Sequence, residues 1–186
     1  MDKIDSSKSV LIKPRDCILL IVDVQKKLVP AIPESAKTID NIVKLIKLSK
    51  IINLPVIITE QQNLGDTIDE IRTELDEIKP LSKITFSCLG TADFQKRLTQ
   101  HHRRVLLVAG IEAHICVAQT ALEAAARYQV QVVGDAVASR AAYNREIALE
   151  RLRQNGITIT STEMLMYELL GKAGTDQFRA VLPLVK

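Results

Sequence analysis

Tryptophan is missing from this chain of 186 residues, and phenylalanine and tyrosine occur only three times each. The hydrophobic 47% is therefore almost entirely aliphatic. That composition suits stacked layers of helix and parallel strand, and it leaves any pocket short of aromatic walls. The net charge of +3 is the balance of 25 basic and 22 acidic residues spread along the chain. With no basic block and no interleaved aromatics, a nucleic acid is not an expected partner. The densest basic cluster, residues 101–104, precedes an apolar run and reads as a solvated connection.

No uninterrupted apolar stretch is long enough to span a bilayer, and the opening MDKIDSSKSV lacks the apolar centre of a signal peptide. No membrane partner is expected. Cys17, Cys88 and Cys116 are too few and too scattered for a disulfide framework, and no CxxC or Cys/His pair has metal-ligand spacing. A reducing cytoplasm is the expected location. No GxGxxG follows the first apolar run and no GxxxxGKS/T occurs, which places phosphate and dinucleotide binding last among the functions. Repeats, low-complexity tracts and linkers are likewise missing. The expected organisation is a loose arm over residues 1–14 and one domain over 15–186.

What is present is an alternation. Residues 17–24 (CILLIVDV), 55–59 (PVIIT), 81–87, 105–109 (VLLVA), 130–133 and 157–161 read as short strands. Residues 35–52, 91–100, 114–128, 144–154, 162–170 and 176–185 carry apolar residues at helical spacing, and the acidic stretch 63–80 reads as a loop with a short helix. Strand followed by helix six times predicts a three-layer α/β/α fold with a six-stranded, mostly parallel sheet and helices on both faces.

Three residues interrupt this pattern. Asp23 sits at the carboxyl end of the first strand, where open α/β sheets bind ligands, although an Asp there can equally brace the next loop. Lys83 lies among alternating apolar residues of the third strand, either snorkelling from an edge or turned into the crevice. Cys116 lies where the fourth strand gives way to an alanine-rich helix. It is either a small core hydrophobe or a thiol whose ionisation is favoured by free backbone N–H groups and a helix N-terminus.

Taken together, IVDVQ at the first strand, the lysine of SKITFS and AGIEAHICV at the elbow resemble the isochorismatase-like cysteine hydrolases. The similarity runs from about residue 15 to the end and extends to TEQ at 59–61, LG at 64–65 and DAVASR at 135–140, closest to the isochorismatase domain-containing branch. The resemblance implies a catalytic triad of Asp23, Lys83 and Cys116. It further implies a cis peptide at Ile111–Glu112 and an oxyanion hole formed by the backbone N–H groups of Glu112 and Cys116. Gln25, Glu60, Gln61, Phe86 and His114 are the candidates to line a substrate pocket.

The departures bear on chemistry. Metal-dependent relatives of this superfamily carry Asp and His after the second strand, whereas this chain has Thr59, Glu60, Gln61 and Gln62. No metal or other cofactor is expected, and His101, His102 and His114 read as surface or loop imidazoles, with His114 alone near substrate. Retention of Cys116 favours an acyl substrate such as a small amide, carbamoyl compound or ester over vinyl-ether hydrolysis. A homo-oligomer, dimer or tetramer, is expected. The alternative is a scaffolding member of the fold that keeps the triad without turnover.

Overall fold

The computed structural model of the protein describes residues 11–185. Six strands, β1 (Cys17–Val22), β2 (Val56–Gln61), β3 (Leu81–Lys83), β4 (Val105–Ile111), β5 (Gln129–Ala138) and β6 (Thr158–Thr160), form one sheet in the order β3-β2-β1-β4-β5-β6. Every neighbouring pair is parallel. The α-helices among the described residues are α1 (Ser35–Ile52), α2 (Asp69–Arg72), α3 (Ala92–Gln100), α4 (Ala118–Ala124), α5 (Ala142–Gln154), α6 (Thr162–Leu170) and α7 (Asp176–Val185).

The layers follow from the two-residue period of the strands. On β1, Cys17, Leu19 and Ile21 join a core with Ile42, Leu45 and Ile46 of α1, Leu165 and Met166 of α6, and Val181 of α7. Ile18, Leu20 and Val22 face the other way, toward Phe94 and Leu98 of α3, Ala121 of α4 and Leu152 of α5. A strand that is apolar at every position can be buried on both faces, which is why β1 lies inside the sheet. α1 ends at Asn53 in the left-handed conformation, with Leu54 N–H closing onto the Ser49 carbonyl at 2.8 Å. α6 starts where Ser161 Oγ accepts from Met164 N–H and stops at left-handed Gly171.

Several boundaries differ from the sequence reading. β3 stops at Lys83 because the carbonyls of the next turn point at that lysine, whereas β5 runs on to Ala138, well past Val133. Of the expected arm, residues 1–10 lie outside the described residues. Ile12 is already in the core, with its N–H donating to Glu168 Oε1 at 2.9 Å, so a loose arm cannot extend to Pro14. No helix among the described residues is long and apolar enough to cross a membrane.

The strand order reverses between β1 and β4. Connections leave their carboxyl ends in opposite directions there, opening a crevice where such sheets bind ligands. Gly110 sets the approach of these two strands. It has φ of +121°, and a Cβ at this position would collide with the Val22 backbone.

Candidate active site

Asp23 is the first residue beyond β1. Its φ of +50° turns the chain out of the sheet, and its N–H donates to the Thr59 carbonyl at 3.2 Å. Val22 and Thr59 are register partners, so Thr59 Oγ1 lies beside the carboxylate and donates to Asp23 Oδ1 at 2.8 Å. Oδ2 meets Lys83 Nζ at 2.6 Å in an ion pair whose two side chains are each 1% exposed. Lys83 therefore does not snorkel. It is the last residue of edge strand β3 and the register partner of Gln61.

Lys83 Nζ is surrounded by oxygen: besides Asp23, Gln61 Oε1 lies at 2.7 Å, the Thr85 carbonyl at 3.2 Å and the Phe86 carbonyl at 3.3 Å. Cys116 Sγ completes the shell at 3.5 Å. Burial works against the Lys83 charge, but Asp23 and the neighbouring thiols together outweigh it and hold the ammonium above its ordinary range. The group stays cationic at neutral pH.

Cys116 comes from a different local structure than a plain helix start. Residues Ala113–Val117 form one π-helical turn before α4, with Val117 N–H reaching back five residues to the Glu112 carbonyl at 3.2 Å, an arrangement frequent at functional sites. Cys116 as a whole residue is buried, 8% exposed. Burial, and then the Asp23 carboxylate, push its thiol up to about 12, with Lys83 only partly opposing them. These causes favour the protonated thiol, against the thiolate that free backbone N–H groups and a helix N-terminus would favour.

The Ile111–Glu112 peptide is cis. The Glu112 carboxylate is buried and held by Arg140, whose N–H donates to Oε2 at 2.9 Å and whose Nε donates to Oε1 at 3.0 Å. This ties the end of β5 to the elbow after β4. His114 is half-buried, with Nδ1 3.0 Å from Ser139 Oγ and Nε2 3.5 Å from Asn144 Nδ2.

The pocket candidates separate by strand parity. Thr59 and Gln61 share the face of β2 that meets Asp23 and Lys83, whereas Glu60 points to the opposite face and accepts from Thr67 N–H and Oγ1, both at 2.7 Å. Gln25 is fully buried and fastened to the Gln61 backbone and the Gly65 carbonyl, which makes it a brace. Phe86 is exposed just beyond the lysine and could meet a ligand.

Thr59, Ser139 and Asn144 acquire roles the sequence did not suggest, and so does Cys88. Its Sγ lies 3.8 Å from Thr59 Oγ1 and its N–H donates to Thr120 Oγ1 at 3.0 Å. Strand parity next to Gln61 is the one signal that points to Thr59. The others need the strand order.

A model of the isochorismatase domain matches residues 17–164. The chain belongs to the isochorismatase family. It is 35% identical over 181 residues to a secreted isochorismatase effector, Isc1, of Phytophthora sojae, covering 93% of this chain and 86% of that protein. It is 34% identical over 176 residues to the human isochorismatase domain-containing protein 2, with 93% and 84% covered. Among solved structures, the MAR1 ribonuclease of Caenorhabditis elegans superposes with a TM-score of 0.88 at 29% identity, covering 95% of this chain and 92% of that one. The Escherichia coli ycaC gene product, described as an octameric hydrolase of unknown specificity, superposes with a TM-score of 0.87 at 25% identity, covering 96% and 94%. The isochorismatase fold thus carries Asp23 at the end of β1 and Cys116 at the elbow after β4, on either side of the topological switch, with Lys83 between them.

Proposed function

We propose that the protein is a cysteine hydrolase working without a metal on small amides, carbamoyl compounds or esters, through a thioester on Cys116. The observation that carries this reading is the single contact set in which Lys83 Nζ touches both Asp23 Oδ2 and Cys116 Sγ. A carboxylate, an ammonium and a thiol in mutual reach, buried in a ligand crevice, are the parts that acyl transfer needs.

In the first half-reaction Cys116 Sγ attacks the carbonyl carbon while the thiol proton passes to Asp23. The negative charge arriving on the carbonyl oxygen is taken by the N–H groups of Glu112 and Cys116. Collapse of the tetrahedral adduct breaks the carbonyl bond to nitrogen or oxygen, and Asp23 returns the proton to the leaving group. In the second half-reaction Asp23 accepts a proton from water as that oxygen attacks the thioester. The carbon–sulfur bond breaks, the acid departs and Cys116 regains its proton. Lys83 stays charged throughout and offsets the negative charge shared by Asp23 and sulfur.

The residues at the carboxyl end of β2 support a metal-free site. Thr59 and Gln61 are bonded to Asp23 and Lys83, and Glu60 faces away. Among the described residues no three His, Cys, Asp or Glu side chains are gathered closely enough to hold an ion. Self-association to a dimer or tetramer belongs to the same reading. Tyr143 and Ile147 on α5 and Met164 and Tyr167 on α6 are exposed, and the Escherichia coli neighbour is described as octameric. A purely monomeric mass by light scattering would count against association.

The decisive test is intact-mass spectrometry after quenching with a panel of amides, carbamates and esters. An adduct that forms on the wild-type protein and is missing in Cys116→Ser supports the reading. No adduct and no turnover across the panel, with Cys116 alkylating no faster than Cys17 or Cys88, favours a scaffolding protein that keeps the triad.

A further inference from the structure

Lys83 Nζ has three protons to donate and two short acceptors, the Asp23 carboxylate at 2.6 Å and the Gln61 amide oxygen at 2.7 Å. The first explains the pairing of the charge. The second carries no charge, although a carboxylate would fill the same place and bind an ammonium more strongly. Gln61 is also held with unusual completeness. Its N–H donates to Gln25 Oε1 at 2.8 Å, its carbonyl accepts from Gln25 Nε2 at 2.9 Å, and its own Nε2 donates to the Ile84 carbonyl at 2.9 Å. Lysine can only donate and a carbonyl can only accept, so these two partners determine which end of the amide faces the ammonium. Gln61 and Lys83 form the last rung of the β2–β3 pair, with their side chains on one face.

We infer that Gln61 is the positioning residue for Lys83: a neutral acceptor that fixes the ammonium against Asp23 and Cys116 while leaving its charge available to the sulfur. Gln25 locks the Gln61 backbone, so the two glutamines act as one clamp. A carboxylate at position 61 would share the ammonium with Asp23 and cancel its field where negative charge develops on Cys116. An apolar side chain would keep the field but release the ammonium.

This inference rests on Cys116 being the nucleophile, and the experiment separates the two ideas. Alkylation of Cys116 is followed by peptide mass spectrometry with neutral iodoacetamide and with anionic iodoacetate at pH 7.5. In wild type, Cys116 must react faster than Cys17 and Cys88; if it does not, the hydrolase reading fails before any variant is made. In Gln61→Glu the ratio of iodoacetate to iodoacetamide rates should fall at least fivefold, because lost positive field penalises the anion selectively. In Gln61→Met both rates should fall threefold or more with the ratio within twofold of wild type. Because a carboxylate at position 61 lowers the ratio through its own charge even where Lys83 stays in place, Gln61→Met carries the positioning claim, and an unchanged ratio in Gln61→Glu would show that no field from this position reaches the sulfur. That outcome, or wild-type rates in Gln61→Met, overturns the inference, and Gln61→Met suffices if Gln61→Glu does not fold.

Discussion

A buried ion pair is asymmetric in its consequences: it adds little while intact and costs about 3–5 kcal/mol when one partner is removed. Asp23 and Lys83 are such a pair. Asp23→Asn should therefore abolish turnover of any verified substrate and also destabilise the chain by roughly that amount in urea unfolding. The double change Asp23→Asn with Lys83→Met should recover much of the stability and none of the activity. Stability that stays low in the double variant would locate the damage elsewhere. Cys116→Ser behaves differently, since the thiol is uncharged at rest. It should remove the covalent adduct with a change in stability under about 1 kcal/mol, or roughly 2–4 °C in Tm for a chain of this size. A larger drop would mean that the sulfur serves mainly as packing.

At the scale of elements, the site depends on how closely β4 runs beside β1. Gly110 has no room for a Cβ against Val22, and its φ of +121° is strained for any other residue. Gly110→Ala should cost about 3 kcal/mol or more and displace Asp23 from the elbow, seen as loss of soluble protein or of Cys116 reactivity. Near-normal stability would show that the strands can separate without harm. Arg140 connects the end of β5 to the same elbow through Glu112. The Arg140 side chain is largely solvent-exposed while the carboxylate is buried. Arg140→Ala keeps the backbone N–H bond and should cost only about 1–2 kcal/mol, while slowing acylation if Glu112 N–H serves the oxyanion. Equal adduct-formation rates in both proteins would remove Glu112 from that role.

The whole molecule carries its buried thiols as a pH liability. Burial pushes Cys17 up to about 12 and Cys88 up to about 11, and Cys116 also reaches about 12, against an ordinary value of 9.0. Each native thiol keeps its proton where the unfolded chain has lost it. The native state therefore binds more protons between pH 9 and 11–12, and stability falls as pH rises through that window. The raised Lys83 has the same sign: its contribution is complete below its ordinary 10.5 and is lost as pH rises through the native value. Urea midpoints measured under reducing conditions should be level up to about pH 9 and then decline, by up to about 1.4 kcal/mol per pH unit for each titrating thiol. Cys17→Ala, far from the site, should lessen the slope. An unchanged slope would mean that Cys17 does not hold its proton against the solvent.

Composition and period were enough to determine the layers, because an all-apolar β1 has to be covered on both faces and the spacing of α1 and α6 is a local property. Asp23, Lys83 and Cys116 were also legible, since each breaks its apolar run with a group that carries chemistry and stands within a motif. The strand order was not legible, and much of the site follows from it. Thr59 meets Asp23 only because β2 lies next to β1, and Gln61 meets Lys83 only because β3 lies next to β2. The ionisation of Cys116 was beyond the sequence for a related reason. A helix terminus argues for a thiolate, whereas burial and the Asp23 carboxylate push the thiol up, and both act only once the chain has closed around it.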